Sequence, residues 1–492
     1  MDARTGGAEG GPRARSPWPA PAWLAVAAAL AMLAESLWDG RLLNDGDTYW
    51  HIAAGGWMLD HRLVPHTDVF SFTLAGAPWE AHEWLSEVVM ATAYRLGGWS
   101  GLVTLFGLAT GALALLLTRQ LGRSLSGAAL VLTVVFALIC ITPSLLARPH
   151  ILALPLLVAW TGALLDARAK GRAPRPGALA VMLLWANMHG SFVFGFLILA
   201  AMAREALIAA RPDVRWPVIR DWGLFGALAL LAAAATPNGV MGLIFPFKLM
   251  TMTSLAGVEE WRPSNFTTFG PFEETLLVAL FACLSLGVRL APVRLLLLLI
   301  LVHMALQHGR HVMILAMVGS LLLAGPLATA SGRGEPARRA AGTSAWLALA
   351  TAASVLIGAR LSVPLVRPNG PFTPRAALDH VPPSLRLKPV LNDYGLGGYL
   401  IFRGVRPFVD GRIDLFGDAF MARFQRIIDP DPAELDRALE RYDIAWTILA
   451  PGEGVTALMD AKPGWRRLYA DRYAVVHVRS TAPPASSRSD PK

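Results

Sequence analysis

Long apolar runs constrain this chain more than any other feature. Ala22–Leu37, Leu102–Leu117, Leu125–Cys140, Trp222–Ala235 and Leu295–Leu306 carry few or no charges. A bilayer core asks for roughly 20 apolar residues per spanning helix. Of the 492 residues 54% are hydrophobic and 16% charged, where a soluble domain holds about a quarter charged residues. That balance excludes a soluble globular enzyme, a disordered chain and a disulfide scaffold. Cys140 and Cys283 both lie in apolar runs and no CxxC occurs, which removes a thiolate zinc site.

The pattern predicts eleven spans: 19–38, 99–118, 124–142, 149–165, 177–188, 191–208, 222–237, 274–288, 295–307, 311–329 and 344–364. The first follows Arg4, Arg13 and Arg15 and ends at Glu35-Ser36-Leu37-Trp38 without a small-residue exit, so it reads as a retained helix rather than a signal peptide. With the N-terminus in the cytoplasm, the inside segments carry 18 Lys/Arg against 7 Asp/Glu. The loop 39–98 then lies outside, with three Lys/Arg and eight acids. This is the distribution the positive-inside rule expects. The net charge of +9 is thereby explained by loops facing a lipid bilayer, and nucleic acid is not the expected partner.

Four regions follow. Residues 1–18 form a cytoplasmic N-terminal tail. Residues 19–366 form a transmembrane domain with the long first outer loop 39–98. Residues 367–479 form an extracytoplasmic α/β domain, and 480–492 a disordered tail. The expected fold is an α-helical polytopic membrane protein of about eleven transmembrane helices with that C-terminal domain. In the first loop, Asp47–Leu59 places Tyr49/Trp50, Ala53/Ala54 and Trp57/Met58 on one stripe, predicting an amphipathic helix along the membrane surface. Glu83–Tyr94 reads as a second surface helix. In the C-terminal domain, strands are predicted at 389–392, 407–410, 445–450 and 473–478, and helices at 418–428, 432–442 and 455–461.

Ionisable groups are expensive at membrane depth, so their placement is informative. In this topology they gather at the outer helix ends. Asp45-Gly46-Asp47 follows the first span; its two carboxylates can share a divalent cation, magnesium or manganese, or one can serve as general base. The bland alternative is that one of them caps the following helix. His51 lies one turn past Asp47 and within reach of its carboxylate. Arg148-Pro149-His150 and His308-Gly309-Arg310-His311 are the candidate anion ligands, since a guanidinium offers a planar fork to phosphate; snorkelling to headgroups is the alternative. His189 sits at an outer turn beside Asn187. Glu259-Glu260-Trp261-Arg262 occupies a long outside loop, 238–273, that reads as a lid or an interface helix. Asp68, Glu80, His82 and Glu83 are candidates for a second acidic site. Asp410-Gly411-Arg412-Ile413-Asp414 reads as a loop held by Asp–Arg contacts. The glycine-rich Asp393–Tyr399 fits neither GxxxxGK[ST] nor GxGxxG, and HExxH and GxSxG are absent, so nucleotide binding, zincin and α/β-hydrolase chemistry have no support.

With an acidic DxD string opening a long first outer loop, many spans and a soluble C-terminal domain, the chain resembles the GT-C superfamily of polytopic glycosyltransferases. The stretch Asp45-Gly46-Asp47-Thr48-Tyr49-Trp50-His51 is similar to the acidic-aromatic segment of oligosaccharyltransferase catalytic subunits and to the acidic pair of protein O-mannosyltransferases and lipid A aminoarabinose transferases. The C-terminal domain carries no WWDxG motif. The resemblance implies an inverting sugar transfer from a polyprenyl-phosphate carrier to an extracytoplasmic acceptor, at the bacterial inner membrane. Asp47 would be the catalytic acid group and Asp45 the auxiliary carboxylate, with or without a metal. Two other classes stay open: a transporter or lipid flippase, for which His303 and the short fifth span are the pointers, and a non-enzymatic envelope assembly protein.

Overall fold

The computed structural model describes residues 21–332, 342–429 and 431–480. The expected tail 1–18, the expected tail beyond Ser480 and the basic residues Arg333, Arg338 and Arg339 of an expected inside loop lie outside the described residues. Each of the eleven predicted spans coincides with a helix. Eight of the described helical segments are long and apolar enough to cross a bilayer, and Ala178–Met188, Gly239–Met250 and Pro292–Gln307 are shorter apolar helices. The chain is a multi-pass, mostly helical membrane protein with a small C-terminal α/β domain.

The surface helix and the second span form one element, Trp84–Leu121, bent at Gly97 and Gly98. Gly98 has φ +56°, a conformation glycine adopts without a Cβ penalty. The bend lets 84–96 run beside the first loop while 99–121 enters the bundle. There it packs on helix Pro21–Trp38, and Ser36 Oγ meets Thr110 Oγ1 at 2.8 Å in the buried interface. Between apolar helices in lipid, such polar pairs and close packing replace the hydrophobic drive.

Four strands build the C-terminal sheet: β1 (Val390–Asn392), β2 (Trp446–Leu449), β3 (Trp465–Ala470) and β4 (Val475–Arg479). Their order is β1-β2-β4-β3. β1 and β2 are parallel, with Leu391 opposite Thr447, and the remaining pairs are antiparallel. The parallel pair needs a crossover, supplied by helices Gly397–Phe402, Ile413–Ile428 and Pro432–Arg441. The predicted strand at 407–410 is not one. Asn392 takes its place as partner: its Oδ1 accepts from Phe408 N at 2.7 Å and its Nδ2 donates to Val409 O at 2.8 Å. The side chain satisfies that segment, so no ladder forms. β3 escaped the pattern because it is largely exposed and carries a register shift between Arg467 and Tyr469.

The first loop differs from its expectation. Helix Asp47–His61 is sandwiched between Trp84–Leu121 and the domain helix Gly397–Phe402. Tyr49 is buried, its ring edge-on to Trp99, Tyr399 and Phe402, and its hydroxyl meets Thr373 Oγ1 at 2.5 Å. The apolar stripe is real, and Tyr49, Trp50, Ala54 and Met58 of it are buried against protein.

A buried ion triad fastens the loop to the domain. Arg412 donates to Asp410 through Nε (2.8 Å) and Nη2 (2.7 Å) and to Asp68 through Nη1 (2.7 Å). All three side chains are fully buried, and the guanidinium stacks over Phe70 and Trp79. The Asp–Arg reading of 410–414 is thus realised, with Asp68 drawn in from the first loop instead of joining a second acidic site. Arg412→Ala leaves two buried carboxylates unpaired and is expected to cost about 3–5 kcal/mol. Thermal unfolding in detergent checks this; the exposed Arg423→Ala should leave the transition where it is.

Candidate active site

Arg148 stands at the centre of the cluster. It precedes helix Pro149–Ala169 in extended conformation, with Ala147 N donating to Leu42 O at 2.7 Å. Asp45 follows the 3-10 turn Gly40–Leu43, and Thr48 Oγ1 donates to Ala147 O at 3.1 Å, which draws the start of helix Asp47–His61 against Arg148. The guanidinium then meets three acids. Nε donates to Asp45 Oδ2 at 2.8 Å and Nη2 to Asp45 Oδ1 at 2.5 Å. Nη2 lies 3.0 Å from Asp47 Oδ2, and Nη1 donates to Glu260 Oε2 at 3.2 Å. Glu260 comes from the loop before helix Pro271–Ser285 and passes the chain of charges to Arg310, whose Nη1 lies 3.4 Å from its Oε1.

The two carboxylates of the DxD string are unlike. Burial pushes Asp45 up, but the bidentate Arg148 outweighs it and holds the group below its ordinary range. Asp45 also caps the helix start, accepting from Thr48 N at 3.2 Å. Asp47 keeps 22% of its side chain open. Burial first, then the charges of Asp45 and Glu260, raise it against the pull of Arg148, to about 6. The stronger hydrogen bonds to Asp45 explain the split: bonds to the charged form favour that form. One carboxylate is a fixed counter-ion and the other is poised near neutrality.

The place between Asp45 and Asp47 that the sequence reading gave to a divalent cation is filled by the Arg148 guanidinium. A dication there would face a permanent positive charge within contact distance, so the pair does not fit a metal. The group among the described residues that could hold one is His51, Glu83 and Glu87. His51 was expected to reach Asp47; its Nδ1 instead lies 3.2 Å from Glu87 Oε1, and burial, reinforced by the Arg148 charge, holds the imidazole well below its ordinary pKa. Glu83 faces His189 at 3.3 Å and His51 and His82 at 3.8 Å. Glu83 was legible as an acid of the loop. Glu87 was missed, although its spacing of four from Glu83 on a helix was a signal.

The other predicted ligands are gathered at the same end of the bundle. His150 Nε2 donates to Ser144 O (3.2 Å), with its ring 6.2 Å from that of His189. His308 Nδ1 contacts Trp261 O at 2.7 Å and His311 Nδ1 contacts Met304 O at 3.3 Å, so these two pin the 258–262 loop and the helix end. Arg310 lies over the Trp261 ring at 4.4 Å. Arg148, expected as a phosphate clamp, spends its donors on carboxylates; Arg310 is the less committed guanidinium.

The C-terminal domain also reaches this place, which the sequence did not show. A Cβ at Gly411 would overlap Asp47 Oδ1 and lie 2.8 Å from Trp50 Nε1, and one at Gly398 would overlap Gly46 O. Glycines alone allow that approach. Tyr394 Oη donates to Gly411 O at 3.4 Å. Asp414 is pushed up to about 6 by burial, the nearby Arg412 notwithstanding.

No protein-family model matches the chain, and no curated protein matches it in sequence. In shape it is similar to the oligosaccharyltransferase of Archaeoglobus fulgidus. The apo crystal structure aligns with a TM-score of 0.52 at 12% identity, over 86% of this chain and 69% of that one. The same protein tethered by a disulfide to an acceptor peptide containing the NVT sequon gives 0.53 at 10% identity, over 86% and 68%. ArnT from Cupriavidus metallidurans bound to undecaprenyl phosphate gives 0.48 at 15% identity, over 93% and 98%. The chain shares its fold with that oligosaccharyltransferase.

Gly411→Ala should force the domain off the first loop. Hydrogen exchange of residues 47–61 and 397–402 is expected to rise, while Gly358→Ala, in open space, should leave both segments protected.

Proposed function

We propose that the chain is a membrane glycosyltransferase that moves a sugar from a polyprenyl-phosphate carrier to an extracytoplasmic acceptor with inversion. The observation that carries this reading is Asp47: a partly open carboxylate raised to about 6, tethered to Arg148, in a chain of GT-C fold. A general base works best with a pKa near the operating pH. In the proposed step, an acceptor hydroxyl gives its proton to Asp47 as its oxygen attacks the anomeric carbon. The bond from that carbon to the carrier phosphate breaks, and the phosphate leaves with the electron pair. Arg310, with His150 and His189, would meet the leaving anion; Arg148 and Asp45 would hold Asp47 in place. His308 and His311 would act from behind, by fixing the loop that bears Glu260. No step requires a metal between Asp45 and Asp47. The active face would be extracytoplasmic, in a bacterial inner membrane, as the basic-residue distribution suggests.

The transporter reading has less to stand on. His303, its main pointer, is exposed on the outside of helix Pro292–Gln307 rather than turned into the bundle.

Positioned general-base catalysis is worth about 10²–10⁴-fold, so Asp47→Asn should lower transfer by that factor. Mass spectrometry of lipid-linked and surface glycans, from cells carrying each form, reads it; undiminished product from Asp47→Asn overturns the assignment. The pH dependence has a definite sign. The base form accumulates as pH rises through about 6, so kcat/KM should climb through that range and then level. Glu260→Gln removes a charge that raises Asp47 and should move the limb to lower pH; Arg148→Gln removes one that lowers it and should move the limb higher.

A further inference from the structure

We propose that His51, Glu83 and Glu87 bind a transition-metal dication of the zinc class, and that this ion clamps the first loop to the helix that follows it. The site is separate from the Asp45–Arg148–Asp47 cluster and does not depend on the activity proposed above.

Geometry comes first. The donor atoms of the three residues all lie within 4.8 Å of one another. His51 Nδ1 is 3.2 Å from Glu87 Oε1. Zinc binds histidine nitrogen and carboxylate oxygen at about 2.0–2.2 Å, which sets ligand atoms of a tetrahedral site about 3.3–3.5 Å apart. The His51–Glu87 separation is close to that size.

The second observation is an orphan. Glu87 is 1% exposed, and its Oε2 is buried with no hydrogen-bond partner. A buried carboxylate oxygen without a partner is costly. The charge arrangement makes the same demand. Among the described residues, the ion-pair partners of Glu83 and Glu87 are imidazoles: His51, His82 and His189. The buried Glu87 and the half-buried Glu83 face three rings that carry lone pairs when neutral, and no guanidinium or ammonium lies within ion-pair distance of either acid among the described residues. Imidazole with carboxylate suits zinc and its transition-metal neighbours, whereas magnesium and calcium prefer oxygen alone.

The ion would join two elements. His51 stands on helix Asp47–His61, one turn beyond Asp47, and Glu87 on Trp84–Leu121; the helices already touch where Gly55 meets the Glu87 carbonyl. Metal binding in such a place is folding energy. It would fix the pitch of the loop helix and hence the position of Asp47, without touching substrate.

The test uses the full chain purified in detergent, with zinc(II) and cobalt(II) as probes. After passage over chelating resin, plasma mass spectrometry should find about one zinc-class ion per chain, or stripped protein should regain it with a rise in melting temperature. Cobalt loading should give visible d–d bands. Glu87→Gln and His51→Gln should each weaken binding by at least about tenfold and lose the bands, while the exposed Glu259→Gln keeps both. Wild-type protein that holds no metal, shows no cobalt bands and does not change its melting temperature with zinc(II) overturns the proposal, whatever the variants do. That result would mean a protonated Glu87 hydrogen-bonded to His51, and would leave the glycosyltransferase reading untouched, because glycan analysis is a separate readout.

Discussion

One guanidinium organises the charged end of this protein's helical bundle. Arg148 cannot lose its charge, and a buried cation near the membrane is tolerated only where counter-charges surround it. Asp45, Asp47 and Glu260 supply them from two separate loops. Each acid therefore fixes the path of its own segment. Asp45 sets where the first helix hands over to the loop. Asp47 sets where the loop helix begins. Glu260 brings in the 258–262 turn and, through it, Arg310. Because Asp45 takes the bidentate contact, Asp47 is left with one weaker bond and a raised pKa. The difference between a counter-ion and a candidate base thus comes from how a single fork of donors is divided.

The α/β domain is part of the same construction. Its core includes Tyr49 of the first loop, its buried Arg412 needs Asp68 of that loop, and its Gly411 lies against the Asp47 carboxylate. Each contact crosses hundreds of residues of chain. The loop helix buries one face on the domain and the other on Trp84–Leu121, which is why it can hold His51 and Asp47 in register toward different neighbours one turn apart.

Much of this was legible in the chain. Apolar runs marked every helix that corresponds to a predicted span, because the bilayer forces each span to satisfy its own backbone. Asp45-Gly46-Asp47 announced itself by position, and Arg148, His150, Arg310 and Glu260 by standing at the ends of apolar runs where charge is expensive. Less visible was the partner of each. His51 lies at a spacing that suits Asp47, and only packing shows that it turns to Glu87. Glu87 looked like one more polar residue of an amphipathic helix. The strand at 465–470 hid because its exposed face breaks the alternation, and 407–410 misled because a side chain, Asn392, does the work of a strand.

By itself the sequence determined the helical membrane architecture, the presence of a small α/β domain and the end of the bundle where ionisable groups collect, since each of these follows from local composition and a solvent that punishes charge. Tertiary structure decided which acid pairs with which base. It decided that a guanidinium sits between Asp45 and Asp47, and that the domain covers the first loop. Those outcomes depend on distances between residues a hundred or more positions apart, which no local pattern encodes.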